Sequence, residues 1–175
     1  SGTGKELVAR LLHGGSPRKR NSFIAVNCGA LTEELLESAL FGYERGAFTG
    51  AERTTPGFFE AASGGTLFLD EIADMSPRLQ AALLRVVEER CFKRLGSQAV
   101  QAGDFRLACA TNQPLEGLVE KQRFREDLLW RLSVVTLRTP PLRERRSDIA
   151  TLASYFLEQL NRRYGRQAGP LTPDA

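Results

Sequence analysis

The residues best suited to chemistry at the start of the sequence form a glycine-rich segment that ends in a lysine, Ser1-Gly2-Thr3-Gly4-Lys5. This segment is the second half of a GxxxxGK phosphate-binding loop, and a helical pattern follows it. Glycines let backbone N–H groups approach phosphate oxygens, a helix N-terminus favours an anion, and the lysine neutralises phosphate charge. Half a pattern also fits an ordinary glycine-rich turn. Glu6 departs from the general pattern, which places Ser or Thr there for magnesium.

Two adjacent acids, Asp70 and Glu71, end an apolar strand pattern about 65 residues after Lys5. Ligands of open α/β sheets lie at the carboxyl ends of the strands. At that edge Asp70 can hold magnesium, and Glu71 can orient or activate an attacking water. An acidic helix start is the plainer interpretation of the pair alone. Together with the lysine-bearing loop, however, the pair favours a nucleotide site.

Polar or aromatic residues also stand out at three other places. Asn112 ends another apolar strand pattern, where its amide can sense a γ-phosphate or hold a water, or simply occupy a turn. Within the loop at 41–51, Phe48 and Thr49 stand between glycines and alanines, which favours a mobile contact loop; an inward-packed Phe48 is equally compatible. Arg125 and Arg131 lie six residues apart, so a helix does not align them unless one sits at its start. Two solvated surface arginines are the alternative.

The elements that would position these residues alternate between helix and strand, which predicts an α/β fold with a mostly parallel sheet. Strands are predicted at 23–26, 65–70, 105–111 and 134–137, and helices at 5–13, 32–40, 76–90, 114–121 and 124–132. Pro140-Pro141 then interrupts the pattern before a long amphipathic helix that opens at Ser147-Asp148 and ends near Gly165. The prolines indicate a subdomain boundary, so we divide the chain at 142/143. The segment from Gly169 to Pro173 is typical of a linker.

Composition limits the class of protein. The chain has 175 residues, 42% of them apolar, and a net charge of +3, which is typical of a folded domain without a basic coat for nucleic acid. Its three cysteines are far apart and form no CxxC motif, so neither a disulfide framework nor a zinc site is indicated, and a cytoplasmic location is the simplest interpretation. No apolar run reaches the length of a membrane span.

The sequence resembles the central AAA+ ATPase domain of sigma-54-dependent transcriptional activators, the NtrC-type bacterial enhancer-binding proteins. The motifs that carry the resemblance run in family order from Ser1 to Asp148: SGTGKE, VNCGAL, ALFGYERGAFTGA, GGTLFLDEI, ACATN, FREDLLWRL and PPLRERRSDI. The hexapeptide GAFTGA is highly specific to that family, and the glutamate after the lysine is the family's habit. The resemblance implies a P-loop AAA+ three-layer α/β/α fold with the start of a helical lid.

The resemblance also implies a role for each matching residue. The phosphate loop matches Ser1, Gly2, Thr3, Gly4, Lys5 and Glu6; the magnesium and water-activating acids match Asp70 and Glu71. Asn27 matches the residue that pairs with the catalytic glutamate and couples nucleotide state to the GAFTGA loop, and Asn112 matches the first sensor. The arginines that reach a neighbouring subunit's site match Arg125 and Arg131. The sigma-54-contacting loop matches Gly46, Ala47, Phe48, Thr49, Gly50 and Ala51, and a second pore loop matches 94–104.

The implied activity is Mg2+-dependent ATP hydrolysis by a hexameric ring, which remodels sigma-54 RNA polymerase so that the promoter melts. Promoter DNA would lie near the GAFTGA loop. Enhancer DNA would be bound by a helix-turn-helix domain, and a signal-receiving domain would control activity, both outside this stretch of sequence. A nucleotide-binding scaffold or relic that does not hydrolyse ATP is the alternative function. Helicase-loader and protease-type AAA+ proteins lack GAFTGA.

The resemblance bears on the ends of the sequence as well. The family places a central strand directly before the phosphate loop and completes its lid after the last helix, so we expect both beyond this sequence. Because loss of a central strand exposes two sheet edges, we expect the chain by itself to bind ATP weakly, to have little or no activity, and to fold poorly.

Overall fold

The structure, a computed structural model, describes residues 2–169. Ser1 and the proline-rich end of the predicted linker, residues 170–173, lie outside the described residues. Two compact units make up the described chain, residues 3–136 and residues 137–169. The predicted boundary at 142/143 stays a prediction.

A three-stranded parallel sheet organises the first unit. Its strands are β1 (Phe23–Asn27), β4 (Thr66–Asp70) and β7 (Arg106–Cys109), hydrogen-bonded in the order β1-β4-β7. The central strand β4 is buried from Thr66 to Leu69, as its uninterrupted apolar run predicts. In register, Asn27 pairs with Asp70 and Leu69 with Cys109, so the carboxyl ends of the strands meet at one edge. The predicted α/β class with a parallel sheet is confirmed.

Six helices and one 3-10 turn accompany this sheet in the described part of the first unit. They are α1 (Lys5–Gly14), α2 (Glu33–Phe41), α3 (Phe58–Ala61), the turn at Ile72–Asp74, α4 (Pro77–Glu89), α5 (Leu115–Glu120) and α6 (Glu126–Leu132). Helix α4 begins as predicted, because Pro77 occupies its first turn and the Ser76 hydroxyl accepts a hydrogen bond from the Leu79 N–H at 3.3 Å. Thr32 precedes α2, but its side chain makes no capping hydrogen bond.

Two small antiparallel pairs lie outside the parallel sheet. Strands β2 (Gly42–Tyr43) and β3 (Thr55–Pro56) close one loop, and β5 (Cys91–Lys93) and β6 (Val100–Ala102) close another. Glycine is required where the first pair meets α3: Gly42 has φ 74°, and a Cβ there would lie 2.4 Å from the backbone nitrogen of Gly57. A Cβ on Gly57 would in turn lie 2.3 Å from the nitrogen of Gly42.

The core of the first unit lies between the sheet and its helices. Phe59 on α3 is fully buried, and its ring contacts those of Phe41, Phe92 and Phe105 at centroid distances of 5.1, 5.4 and 5.3 Å. Aromatic pairs of this kind add to simple burial, so the cluster joins α2, β5 and the entry to β7. Both small loops are therefore anchored on the same core.

Helix α1 meets the sheet through different residues from those that its apolar pattern suggests. Leu7 and Leu11 remain more than three-fifths exposed, whereas Ala9 and His13 are buried. His13 Nδ1 lies 2.9 Å from Thr66 Oγ1, and its ring packs edge-on against Phe23. A small residue and a hydrogen-bonded histidine thus form the sheet-facing side of α1.

The predicted strand at 134–137 is wrong, because the described residues of this segment are turn and irregular backbone. A strand needs a neighbour to satisfy its N–H and C=O groups, and the three-stranded sheet of the described chain includes no partner for this segment. Val134 and Val135 are consequently about four-fifths exposed.

The second unit consists of a short 3-10 turn (Leu142–Glu144) and helix α7 (Asp148–Tyr164). Helix α7 ends as predicted at Gly165, which adopts φ 61°. Asn161 closes this end by exchanging two hydrogen bonds with the backbone of Ala168, each 3.0 Å long. No helix within residues 2–169 is long and apolar enough to cross a membrane.

Candidate functional site

The strand ends bring together the acids that the sequence singles out. Asp70 ends β4 beside Asn27 of β1, and its Oδ1 accepts a hydrogen bond from the N–H of Glu71 at 3.0 Å. Glu71 then adopts the left-handed backbone conformation (φ 52°), which is uncommon for a residue with a side chain. Strained backbone of this kind concentrates at functional sites. It turns the chain sharply at the edge of the sheet, directly before the 3-10 turn.

The lysine of the glycine-rich segment reaches the same place. Lys5 opens α1, and its Nζ lies 3.9 Å from Glu71 Oε1, with both side chains more than four-fifths buried. Gly2 and Gly4 have positive φ angles, and open space surrounds the positions that a Cβ on either would occupy. The segment therefore presents unhindered backbone beside an ammonium group at a helix N-terminus, which suits a phosphate chain.

Glu71 also carries a buried acceptor. Its Oε2 is inaccessible to solvent and has no hydrogen-bond partner among the described residues. Buried polar atoms are nearly always partnered, and unpartnered ones are typical of sites that act on a ligand or a proton. Asp70, Glu71 and Lys5 thus fit a phosphate group and a magnesium ion, which prefers carboxylate and phosphate oxygens. Within residues 2–169 no group of three or more His, Cys, Asp and Glu could hold a metal alone.

The structure says less about Thr3 and Glu6, two other members of the implied phosphate loop. Thr3 lies between the two glycines. Glu6 faces outward and pairs with Arg10 one turn along α1, with Arg10 Nη2 2.8 Å from Glu6 Oε1. Glu6 is therefore engaged on the helix surface, as an exposed i,i+4 pair.

Two asparagines flank the acids at the edge of the sheet. The side-chain oxygen of Asn27 accepts a hydrogen bond from the N–H of Gly29 at 2.9 Å. The pairing of Asn27 with Glu71 that the resemblance implies is not formed in the described structure: such a bond would run from the Asn27 amide nitrogen to the Glu71 carboxylate, whose Oε2 has no partner. Asn112 is exposed and follows β7. Between the two, the Ala110 N–H donates a hydrogen bond to the Leu69 C=O of β4 at 2.8 Å. Both amides lie at the same sheet edge as Asp70.

Cys28 lies just behind the acids. Burial, followed by the negative charges of Asp70, Asp74 and Glu71, raises the pKa of its thiol to about 12. Burial likewise raises the pKa of Cys109. Both thiols are free and protonated at neutral pH, so they serve as small apolar packing groups.

The hexapeptide Gly46–Ala51 lies on the loop between β2 and β3. Its backbone closes on itself, with the Gly46 N–H donating to the Ala51 C=O at 2.9 Å. The Phe48 ring is nearly half exposed and packs edge-on against Tyr43, with centroids 5.0 Å apart. Phe48 is therefore supported from one side and presented on the other, and the neighbouring Thr49 is exposed.

A second loop, between β5 and β6, is joined to the first. Leu95 N–H donates to Gly42 C=O at 2.9 Å, and Glu44 N–H donates to Leu95 C=O at 3.0 Å. A Cβ on Gly96, which has φ 78°, would lie 2.9 Å from the Cβ of Ala47. The tip of the second loop thus lies directly against the hexapeptide, and the two loops share one base.

One arginine joins this shared base to the core. Arg94 donates to both carboxylate oxygens of Glu60 at 2.7 Å and to Glu44 at 2.9 Å, while the Thr54 hydroxyl donates to the other oxygen of Glu44 at 2.6 Å. Hydrogen bonds from Arg94 hold the pKa of Glu60 below its usual range; that of Glu44 is lowered by Thr54 and then by Arg94. The ion-pair group therefore ties both loops to α3.

The two predicted arginines lie on α6. Arg125 is the residue that precedes the helix and Arg131 is in its last turn, so one of them does sit at the helix start. The guanidinium of Arg125 pairs with both oxygens of Asp127 at 2.9 and 2.6 Å rather than with a group of the Lys5–Glu71 site. Both arginines are exposed, and Trp130 between them is 72% exposed.

Sequence reasoning missed Glu44, Glu60 and Gln80. The first two hold Arg94, and Gln80 is fully buried with hydrogen bonds to the segment that carries Arg125. Only the glutamine gave a signal, as a polar residue within the apolar face of α4. Glu60 lies 34 residues from Arg94 and Glu44 lies 50 residues from it, separations that no local pattern reveals.

Known proteins resemble this chain over most or all of its length. A family profile described as "Sigma-54 interaction domain" matches residues 1–138. The chain is 59% identical over 157 residues to the Nif-specific regulatory protein of Azospirillum brasilense, covering 90% of this chain and 25% of that protein. It is 53% identical to the transcriptional regulatory protein ZraR of Klebsiella oxytoca, covering 100% of this chain and 40% of that protein.

A solved structure matches the fold closely. The crystal structure of NtrX from Brucella abortus in complex with ATP superposes with a TM-score of 0.89 at 40% identity, covering 99% of this chain and 37% of that one. This chain thus spans between a quarter and two fifths of the lengths of these relatives. Its parallel sheet, helices and glycine-rich segment form the P-loop AAA+ α/β fold, and the chain belongs to the sigma-54 interaction domain family of transcriptional activators.

Proposed function

We propose that this chain hydrolyses ATP and uses the energy to remodel sigma-54 RNA polymerase through the loop at Gly46–Ala51. Most support comes from the Lys5–Glu71 site, where an ammonium group, two adjacent acids and a buried unpartnered carboxylate oxygen meet at the edge of a parallel sheet. The sigma-54 family membership and the ATP bound by NtrX support the same nucleotide. Lys5, Asp70 and Glu71 are all present, so the described part of the site shows no loss that would favour a non-hydrolysing scaffold.

In this proposal the glycine-rich segment and Lys5 hold the triphosphate. Ser1, Gly2, Thr3, Gly4 and Glu6 would complete the segment, and backbone N–H groups of the segment would bind the phosphate oxygens. Asp70 would hold Mg2+, which neutralises charge on the transferred phosphoryl group when bound. Glu71 would orient the attacking water and accept its proton through the buried Oε2. Asn112 would sense the γ-phosphate, and the Asn27 amide nitrogen would donate to the Glu71 carboxylate in one nucleotide state and not in another, while the amide oxygen can keep its bond from the Gly29 N–H.

Arginines from a neighbouring copy would complete each site. Arg125 and Arg131 are exposed, and Arg125 pairs with the nearby Asp127 rather than with Asp70 or Glu71 of its own subunit. An arginine supplied across an interface stabilises transition-state charge and makes hydrolysis depend on assembly. We therefore propose a homo-oligomeric ring, a hexamer as the resemblance implies.

The two joined loops would transmit the result of hydrolysis. Because the second loop shares backbone hydrogen bonds and the Arg94 ion pairs with the first, both would move as one body. Phe48 and Thr49 are presented at its surface, where they would contact sigma-54 and nearby promoter DNA. The apolar ring and hydroxyl suit a protein contact more than phosphate binding.

The wider features of the proposal come from the family. We propose a cytoplasmic activator whose ATPase subdomain spans 1–142 and whose lid begins at 143–175. Enhancer DNA would be bound by a helix-turn-helix domain, and a signal-receiving domain of the two-component type would control assembly. Membrane association has no part in this proposal.

Replacing Thr49 by alanine tests the loop assignment. Because Thr49 is exposed and distant in sequence from the acids, Thr49→Ala in the intact protein should keep ATP turnover and lose open-complex formation at a sigma-54 promoter. The measurement is phosphate release together with promoter melting detected by permanganate footprinting. Thr32→Ala, the same change at an exposed threonine without a side-chain cap bond, is the control and should keep both activities.

Two results would contradict the proposal. If Thr49→Ala still melts the promoter, the loop is not the contact with sigma-54. If the assembled, unmodified protein releases no phosphate from ATP in the presence of Mg2+, the chain is a nucleotide-binding scaffold or relic instead.

A further inference from the structure

Gln80 is the only glutamine or asparagine among the fully buried residues of the described core. It lies on the fourth residue of α4, and no part of it is exposed to solvent. A buried amide is unfavourable unless its donors and acceptor are satisfied, so its partners indicate what it does.

All of these partners are backbone groups. Gln80 Nε2 donates to the C=O of Met75 at 2.8 Å and to the C=O of Arg123 at 3.0 Å. Gln80 Oε1 accepts from the N–H of Arg125 at 2.9 Å. One side chain therefore holds the main chain on both sides of Phe124, whose ring is itself buried.

These contacts join two segments with different tasks. Met75 follows the acids by four residues, at the end of the 3-10 turn. Arg123 and Arg125 form the approach to α6. Gln80 lies 43 residues before Arg123 and 45 residues before Arg125 along the chain. Its amide is therefore a tertiary link between the subunit's own acid-bearing segment and its arginine-bearing segment.

We infer that Gln80 is a positioning residue that fixes the backbone from which Arg125 reaches a neighbouring subunit's site. This inference rests on the proposed function, in which Arg125 acts across the interface. The guanidinium is exposed and has only the local partner Asp127 among the described residues, so its placement depends on the anchoring of its main chain. Arg131 is already held within a helix and needs no such support.

The size of the effect follows from how sharply catalysis depends on geometry. A displacement of about 1 Å in a catalytic group can cost about a hundredfold in rate. An arginine supplied across an interface contributes about a thousandfold or more. Loosening the base of Arg125 should therefore cost less than removing its side chain.

The test uses the intact protein with Gln80→Met, which keeps the volume and removes all three hydrogen bonds. We expect kcat for ATP to fall about 10- to 100-fold, whereas KM should stay within about threefold, since the subunit's own nucleotide contacts are retained. Arg125→Ala should lose about a thousandfold in kcat. Thr66→Val, which removes another buried hydrogen bond (to His13, 2.9 Å) at the start of β4, should lower the melting temperature and keep kcat.

Mixed assemblies separate positioning of Arg125 from support of the acids in the same subunit. Glu71→Gln subunits lack the water-activating acid but carry a sound Arg125, so they can complete the site of a Gln80→Met neighbour. A mixture of the two variants should therefore turn over ATP faster than the average of the two alone. The mixture of Arg125→Ala with Glu71→Gln should recover in the same way.

Each result either supports or overturns the positioning role of Gln80. A normal kcat for Gln80→Met, or no recovery in its mixture while the Arg125→Ala mixture recovers, overturns the role of Gln80 and leaves the proposed function intact. If Arg125→Ala itself keeps full activity, the cross-subunit arginine is wrong and the inference falls with it. Should Gln80→Met fail to fold, Gln80→Glu keeps the shape and the acceptor for the Arg125 N–H, replaces the two amide donors by at most the single O–H of a protonated carboxyl, and must show reduced kcat with the same recovery.

Discussion

Replacing Arg94 by methionine should separate the two loops from the core that supports them. Methionine keeps most of the apolar stem but removes the bonds to both oxygens of Glu60, at 2.7 Å each, and to Glu44 at 2.9 Å. The side chains of Arg94 and Glu60 are about one-fifth exposed, so Glu60 would be left largely buried without a cation. We therefore expect a measurable loss of stability together with a loss of coupling between the loops and α3.

The magnitude follows from this partial burial. Breaking a fully buried pair costs about 3–5 kcal/mol and an exposed one about 0–1 kcal/mol, so the Arg94–Glu60 pair should contribute about 2 kcal/mol after screening by solvent. For a domain of this size, that corresponds to a decrease in the melting temperature of about 4–8 °C. ATP turnover should persist, because Arg94 contacts neither Lys5 nor Glu71, while promoter opening should fall.

The pH dependence gives an independent check. Arg94 lowers the pKa of Glu60 and contributes to lowering that of Glu44. A depressed folded-state pKa contributes stability above the ordinary pKa of glutamate, about 4.3, and this stability is lost as pH falls through the lower folded value. The difference between wild type and Arg94→Met should therefore be constant from neutral pH to about pH 5.5 and shrink below about pH 4.

The assay is thermal unfolding of this domain within the intact protein, followed by circular dichroism between pH 3.5 and 7. Arg53→Met is the matched control, because Arg53 is exposed in the β2–β3 loop, the other of the two joined loops, and makes no ion pair among the residues that the structure describes. If the melting temperature of Arg94→Met equals that of Arg53→Met and of the wild type at every pH, the role assigned to the ion pairs is refuted.

The remaining predictions concern the acids and the buried thiol. Glu71→Gln should lower kcat for ATP by about 10²- to 10⁴-fold while ATP binding persists, because Lys5 and Asp70 remain; single-turnover hydrolysis and equilibrium binding measure the two separately. Loss of binding in proportion to kcat would contradict the assignment of a water-activating role. Cys28 should react with iodoacetamide at pH 8 about a thousandfold more slowly in the folded than in the unfolded protein, because a pKa of about 12 leaves little thiolate. Mass spectrometry of the labelled peptide measures this, and equal labelling rates would contradict the burial of the thiol.

Local patterns in the sequence predicted most of the elements that carry the site. The helix predicted at 76–90 agrees with α4 to within one residue at each end, and the apolar run before Asp70 predicted the buried central strand. The motif at Gly46–Ala51 indicated a loop, and the structure places it between two short strands. These features are encoded within a few neighbouring residues, through capping, hydrophobic runs and backbone freedom.

Pairing between distant segments was beyond such patterns. The apolar residues at 134–137 suggested a strand, yet strand formation depends on a hydrogen-bonding neighbour, which their own sequence does not specify. The exposure of Leu7, Leu11 and Trp130 has the same origin, because an apolar side chain is buried only where another element meets it.

By itself the sequence determined the chemistry available to this protein: a lysine after glycines, two acids after a buried strand, and a loop of small residues around one aromatic. The tertiary structure alone decided which groups meet. Parallel register brings Asp70 beside Asn27, Lys5 approaches Glu71 from a distant helix, Arg94 joins two loops to α3, and Gln80 holds the backbone of Arg125. The physical reason is that hydrogen bonds and ion pairs act over a few ångströms in space, whatever the separation of the residues along the chain.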